Sequence, residues 1–310
     1  MTRAAPRGAF PGLSLPNGRT RLLGIVGDPL DHSLSPQLMS EVLRQLGRNL
    51  LYLPLPVSAD RLPELITLAP SLGLLGFNVT TPFKGAVARL VRPLDRETAR
   101  TQMVNTVSFG ARGAAGCGTD GAGILDCLEG WGMRAEPFGL LGFGATARSL
   151  THRAWRDGRP LVAIRSRCPR EVARQFDAWE QAARVERRES LPSARRPETM
   201  GWGLGVAEAP RLWISTLPPH AARARATQLW LRSLPSNAVI LDLNYGEQRA
   251  LLAAAARGRG LRVADGRAPL LAQAARSLSL WLGDEVDIAL FERALGLSRR
   301  TLAPSRRLSS

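Results

Sequence analysis

The chain has 310 residues, 45% of them hydrophobic, and a formal net charge of +16. That is enough apolar material for two ordinary domain cores, and no apolar run approaches the roughly 18 residues that a membrane span requires, which excludes a membrane protein. The positive charge is spread along the chain; its one dense cluster, 184–196, is interrupted by Glu186 and Glu189 and is accompanied by no nucleic-acid motif or aromatic array, which excludes specific nucleic-acid binding.

Residues 1–20 and 300–310 read as disordered tails, and the first of these lacks the apolar centre of a secretory signal. The three cysteines, Cys117, Cys127 and Cys168, have no metal spacing and are odd in number, so a reducing cytoplasm is expected. Arg21-Leu22-Leu23-Gly24-Ile25-Val26-Gly27 is a short apolar run ending in glycine, the pattern of a buried strand, and Ser35-Pro36 opens a helical period through Met39, Val42, Leu43 and Leu46. Strands are predicted at 50–55 and 74–80, with a helix near 61–68 between them. After Asp120 an amphipathic helix runs through Ile124, Leu125 and Leu128 to Gly130 and Gly132.

Phe138-Gly139-Leu140-Leu141-Gly142-Phe143-Gly144 is an apolar strand running into glycines, followed by a helix over 145–155 and a strand over 161–164. That order opens a nucleotide-binding sheet. Further strands fit 211–215, 239–243 and 261–264, with helices at 221–234 and 248–257. Residues 184–210 read as an extended loop, and 268–297 are helical again.

The segment Gly142-Phe143-Gly144-Ala145-Thr146-Ala147 matches G-x-G-x-x-(G/A) between a strand and a helix. Gly142 permits the tight turn, Gly144 lets backbone approach a pyrophosphate, Ala147 allows close helix–strand packing, and the helix start at Ala145 faces the phosphates. The second strand ends in Ile164-Arg165-Ser166-Arg167 with no carboxylate before Glu171. An acidic residue there would grip the adenosine ribose of NAD; Arg165 and Arg167, with Ser166 between them, favour NADP.

Of the 42 basic residues only Lys84 is a lysine. Arginine cannot lose its proton, whereas a lysine amine can be tuned into a proton donor or acceptor. Lys84 ends Asn78-Val79-Thr80-Thr81-Pro82-Phe83-Lys84, a polar turn after an apolar run.

Six segments, in order, resemble the shikimate dehydrogenase family, and the resemblance covers about 21–297. They are His32-Ser33-Leu34-Ser35-Pro36; the Asn78–Lys84 turn; Val104-Asn105-Thr106; Thr119-Asp120-Gly121; Asp242-Leu243-Asn244-Tyr245; and Asp265-Gly266 followed by Gln273. The resemblance implies interconversion of 3-dehydroshikimate and shikimate with NADP, in aromatic amino acid and chorismate biosynthesis, with Lys84 and Asp120 as the catalytic pair. Ketone reduction needs a hydride and a proton, and Lys84 can supply the proton. Asp120 at a helix start is favoured as an anion and would orient the amine. By the same resemblance Ser33 and Ser35 hold the substrate carboxylate, while Thr80, Asn105, Asp120, Tyr245 and Gln273 bind ring hydroxyls or complete the pocket.

The expected fold class is α/β with two domains: an α/β substrate-binding domain over 21–118 plus 266–300 and a Rossmann-type doubly wound cofactor domain over 119–265. The expected partner is a small molecule, and the chain is expected to be a monomer or homodimer. Four places depart from the family pattern. Gly118 stands where the family usually carries an asparagine; Ile214 to His220 keeps only the threonine of a usual block; Thr146 replaces a small residue; and Ala268-Pro269-Leu270 alters the approach to the glutamine helix. A relative acting on quinate or aminoshikimate, and a weakly catalytic binding protein, are the alternatives.

Overall fold

The computed structural model describes residues 16–185, 196–202, 209–246 and 250–305. Of the tails expected at 1–20 and 300–310, residues 1–15 and 306–310 lie outside the described residues, as do most of the basic cluster at 184–196 and the predicted helix start at Gln248; the described parts are ordered, with Thr20 bonded to Asn49, Leu302 buried and Ser305 paired with Val263.

The first half of the chain forms β1 (Arg21–Gly27), α1 (Ser35–Gln45), β2 (Leu50–Pro56), α2 (Leu62–Leu68), β3 (Leu74–Val79), α3 (Lys84–Ala88), β4 (Arg92–Pro93), α4 (Arg96–Thr101), β5 (Thr106–Gly110) and β6 (Gly113–Cys117). The strands make one sheet in the order β2-β1-β3-β5-β6-β4. β1 pairs parallel with β2 and β3, and the β5–β6 hairpin joins antiparallel. Proline at the start of α1 removes a donor that a helix terminus cannot use, and the helix buries Leu38, Met39, Val42 and Leu43 against the sheet.

Next come α5 (Asp120–Gly130), β7 (Phe138–Leu141), α6 (Ala145–Arg156), β8 (Leu161–Arg165), α7 (Pro169–Val185), β9 (Glu198–Met200), β10 (Leu212–Ser215), α8 (Arg225–Ser233), β11 (Val239–Asp242), α9 (Leu251–Gly258) and β12 (Arg262–Asp265). Their sheet runs β9-β8-β7-β10-β11-β12, parallel throughout. Counted within this half, that is the doubly wound order 3-2-1-4-5-6, whose strand order reverses between β7 and β10. The fold is therefore α/β with a Rossmann-type second sheet.

The chain then returns to its first half. α10 (Arg267–Leu282) and α11 (Ile288–Ala294) bury Leu271, Leu278 and Phe291 in one cluster with Leu23, Ile25, Leu38 and Val42, and α12 (Arg299–Leu302) adds Leu302. α5 is the mechanical link between the halves, lying against both α6 and α10. A Cβ at Gly123 would fall 2.8 Å from the backbone nitrogen of Gln273, so α5 and α10 touch main chain to main chain.

The periodicity missed several elements. The periodicity predicts nothing over 84–117, where β5 alternates Thr106-Val107-Ser108-Phe109 over only four residues and the glycine and alanine of β6 carry no pattern, nor over 169–185, where α7 buries Val172, Phe176, Trp179 and Ala183. β9 falls inside the predicted loop at 184–210. Helical structure over 268–297 is broken where Asp287 accepts the Ala289 amide at 2.8 Å and starts α11 afresh. Among the described residues no helix is long and apolar enough to cross a membrane, and no group of His, Cys, Asp and Glu could hold a metal ion.

Candidate active site

Strand ends and helix starts converge on one cavity of about 180 Å³. β3 delivers Asn78 and Val79, and the turn after it delivers Thr80 and Lys84. Asn105 precedes β5, Asp120 opens α5, Ser33 and Ser35 sit at the start of α1, Tyr245 follows β11, and Gln273 projects from α10. All eight residues expected from the sequence in catalysis or substrate binding line this cavity, together with Asn78, Thr146 and a wall of Ile25, Ile124, Leu243 and Pro269. A larger groove of about 1320 Å³ runs along α5 and α10 past Asp126, Trp131 and Arg276, and it contains neither Lys84 nor Asp120. Convergent polar groups, rather than volume, mark the smaller cavity as the chemical one.

Lys84 Nζ lies 2.5 Å from Asp120 Oδ2, with only 13% and 15% of the two side chains exposed. The other carboxylate oxygen, Oδ1, accepts from Asn105 Nδ2 at 2.8 Å. Asn105 is itself anchored, because its Oδ1 accepts the Thr119 amide at 2.7 Å. Below it a buried net continues: Asn78 Nδ2 donates to Ser277 Oγ at 3.0 Å and to the Asn105 carbonyl at 3.1 Å, while Tyr52 donates to Asn78 Oδ1 at 2.8 Å. Burial, reinforced by the nearby Tyr245 hydroxyl, pushes the Tyr52 phenol well above its ordinary range, which keeps it a neutral donor. Satisfied buried networks of this kind hold their members in one geometry.

Ser33 Oγ accepts the Ser35 amide at 3.3 Å, so turn chemistry shapes the serine loop as it enters the cavity. Gln273 Nε2 is tied to the Leu270 carbonyl at 3.0 Å, which leaves its Oε1 directed at Asn105, 3.3 Å from Nδ2. Tyr245 rides on a loop braced from below by Asp242, which accepts from Asn244 Nδ2 at 2.9 Å and from the Ala253 amide at 3.2 Å. Burial raises the Asp242 carboxyl to about 6, against the lowering effect of those hydrogen bonds.

The glycine-rich loop lies at the carboxyl end of β7, beside the reversal point of the second sheet. Gly142 has φ of +92°, and a Cβ there would lie 2.7 Å from Thr216 Oγ1, so both conformation and space require glycine. A Cβ at Gly144 would meet nothing within 4 Å. That open ground before Ala145, at the positive end of α6, suits a pyrophosphate. Ala147 is fully buried against the sheet.

At the end of β8 the two expected arginines part. Arg165 is 5% exposed, its Nη1 donating to the Gly201 carbonyl at 3.2 Å and its guanidinium lying 5.9 Å from the Trp213 ring centre. It is held beneath the segment after β9, whereas Arg167 is exposed. Ser166 is buried and its Oγ accepts the Cys168 amide at 3.1 Å.

The segment at Gly118 is held from two neighbouring helices. The Gly118 amide donates to Thr98 Oγ1 at 3.2 Å, and beside it Ser149 donates to buried Glu97 at 2.9 Å. Arg153 reaches the same carboxylate at 3.2 Å, while burial raises the Glu97 pKa. α4 and α6 brace the catalytic loop in this way. The reading of single motifs missed Thr98, Glu97 and Ser149, since none belongs to a motif.

A doubly wound sheet with a glycine-rich loop at its reversal point, facing a cavity that holds an amine beside a carboxylate, is the architecture of a two-domain dehydrogenase. The profile of the shikimate dehydrogenase substrate binding domain matches residues 25–107. A shikimate dehydrogenase (NADP(+)) of Anaeromyxobacter sp. (strain Fw109-5) is 34% identical over 91% of this chain and 98% of its own. One of Thermosynechococcus vestitus is 31% identical over 90% and 96%. The crystal structure of the Thermus thermophilus shikimate 5-dehydrogenase in complex with NADP(H) and shikimate shares the fold, with a TM-score of 0.71 at 24% identity over 89% of this chain and 98% of that one. The chain belongs to the shikimate dehydrogenase family.

Proposed function

We propose that this protein reversibly reduces 3-dehydroshikimate to shikimate with NADP as cofactor, a step of aromatic amino acid biosynthesis. The observation that carries the reading is the 2.5 Å contact of Lys84 with Asp120 inside a small, hydroxyl- and amide-lined cavity. Drug-sized ligands occupy roughly 300–1,000 Å³, so a cavity of about 180 Å³ suits a single small ring. Its serines, threonine, tyrosine and amides offer the short donors and acceptors that a polyol carboxylate needs.

Residues 21–118 with 266–300 act as the substrate domain in this reading, and 119–265 as the cofactor domain. The packing of α10 and α11 with β1 and α1 supports that division. Gly142, Gly144 and Ala145 would hold the cofactor pyrophosphate, and Arg167 with Ser166 the adenosine end. Bound NADPH supplies the hydride. Lys84 gives the proton to the ketone oxygen and takes it back in the reverse direction; Asp120 holds the amine in place; Ser33 and Ser35 receive the carboxylate; Thr80, Asn105, Tyr245 and Gln273 orient the ring hydroxyls.

The test is a spectrophotometric panel of shikimate, quinate and aminoshikimate against NADP and NAD. Shikimate with NADP is expected to give the highest kcat/KM. Preferred turnover of quinate or aminoshikimate would reassign the substrate, and no turnover of any of the three would leave only a binding protein.

A further inference from the structure

Thr146 is one of the places where this chain departs from the family pattern, and its side chain is directed into the chemistry. It stands second in α6, immediately after the glycine-rich loop, yet its hydroxyl does not cap that helix. Its Oγ1 instead lies 3.1 Å from Lys84 Nζ and 3.3 Å from Asp120 Oδ2, on the rim of the 180 Å³ cavity. A hydroxyl has one hydrogen to give and two lone pairs to receive. The one arrangement that satisfies both contacts has Thr146 accepting from the ammonium and donating to the carboxylate.

The count of hydrogens then becomes informative. An ammonium has three donors; Asp120 takes one and Thr146 a second, so the third is left for an oxygen in the cavity. Without Thr146 the amine keeps one fixed partner and can turn about it. Lys84 and Asp120 come from α3 and α5, whereas Thr146 comes from α6, whose start adjoins the open ground at Gly144.

We propose that Thr146 is a positioning residue that ties the start of α6 to the Lys84–Asp120 pair and sets the direction of the lysine's free N–H bond. The proposal rests on the function assigned above. Its effect falls on turnover rather than on affinity, because Thr146 touches the proton donor and only adjoins the phosphate-binding backbone.

The full-length chain is tested with Thr146→Val, which keeps the branched shape and removes the hydroxyl, and Thr146→Ser, which keeps the hydroxyl. Thr146→Val is expected to lower kcat about 10-fold, to change the pH profile of kcat, and to leave KM for NADP within about twofold. Thr146→Ser is expected to recover most of that loss. Since Lys84 is the sole lysine, labelling with lysine carrying ¹⁵N at the ε position yields one side-chain nitrogen signal. That signal should move in Thr146→Val and return toward its wild-type position in Thr146→Ser. Unchanged kcat and an unmoved signal in Thr146→Val would overturn the proposal, as would a Thr146→Ser enzyme as poor as Thr146→Val, or a loss confined to KM for NADP. If the wild-type chain turns over no substrate, the assigned function falls, while the lysine signal still decides whether Thr146 positions the amine.

Discussion

The two walls of the cleft are built by opposite means. Around Lys84, polar side chains do the holding: Asp120, Asn105, Asn78 and Ser277 form a hydrogen-bonded series, with Asn78 reaching Asn105 through its backbone carbonyl. Across from it, at the glycine-rich loop, backbone geometry and vacant space do the work, with Gly142 at positive φ and nothing within 4 Å of a Cβ at Gly144. The first wall is sensitive to which functional group is present, the second to any atom added. This explains how the Ile214 to His220 segment can differ from the family while Thr216 still meets the loop, its Oγ1 donating to the Leu141 carbonyl at 2.9 Å.

The sharpest break of that contrast is on the side-chain wall. Lys84→Arg preserves charge but loses a transferable proton, and turnover at saturating cofactor is expected to fall roughly 10²-fold or more. Asp120→Asn should be similarly poor, and the double variant little worse than the worse single, because residues acting as a unit are not additive. Near wild-type turnover for Lys84→Arg would mean that charge alone is required.

Asp242 probes the loop that carries Tyr245. Its carboxyl is raised from 3.8 to about 6 by burial, so the folded chain binds this proton more tightly than the unfolded chain. The resulting stability is fully present below about pH 4 and is lost as pH rises through about 6. At roughly 1.4 kcal/mol per unit of displacement, the loss is on the order of 3 kcal/mol. Urea unfolding between pH 4 and 7 should therefore show a shallower fall in Asp242→Asn than in wild type; parallel pH curves would contradict the assignment.

On the backbone wall, Gly142→Ala adds one carbon where φ is +92° and Thr216 Oγ1 is 2.7 Å away. KM for NADP is expected to rise about 10-fold, with a thermal midpoint lowered by strain of about 1–3 kcal/mol. An alanine variant with unchanged KM and midpoint would show that the loop yields. The smallest effect separates the two arginines: Arg167→Ala should weaken NADP about fivefold more than NAD, the loss of one exposed phosphate contact. Arg165→Ala should lower thermal stability without altering that ratio, because its guanidinium is engaged beneath Gly201 and over Trp213. The reverse pattern would put Arg165 at the phosphate.

Much of this was legible from short windows of sequence. The strands at β1, β3, β7 and β8 announce themselves as apolar runs, and the glycine loop follows β7 as a motif. In α7 Val172, Phe176, Trp179 and Ala183 recur at helical spacing, a stripe that the surrounding arginines and glutamates mask. β6 offers no such signal, since its glycine and alanine leave no alternation to see, and β5 alternates over only four residues; their place in the sheet is supplied by β3, which pairs with β5.

What the sequence by itself determined is residue type in local order: one lysine among arginines, hydroxyls before α1, a carboxylate at a helix start, glycines after a strand. Those are properties of a few neighbouring positions. Only the tertiary structure decided which of them meet. Lys84 and Asp120 are 36 residues apart, and Asn105 and Gln273 are 168 apart. Their contacts exist because α5 is pinned between α6 and α10, with Gly123 against the Gln273 backbone. The same packing brings Thr146 to the amine. Around Arg165 it is the cover over the sheet edge, with the Gly201 carbonyl and the Trp213 face, that turns the guanidinium inward. Direction of that kind depends on neighbours distant in the chain, and no local pattern of residues encodes it.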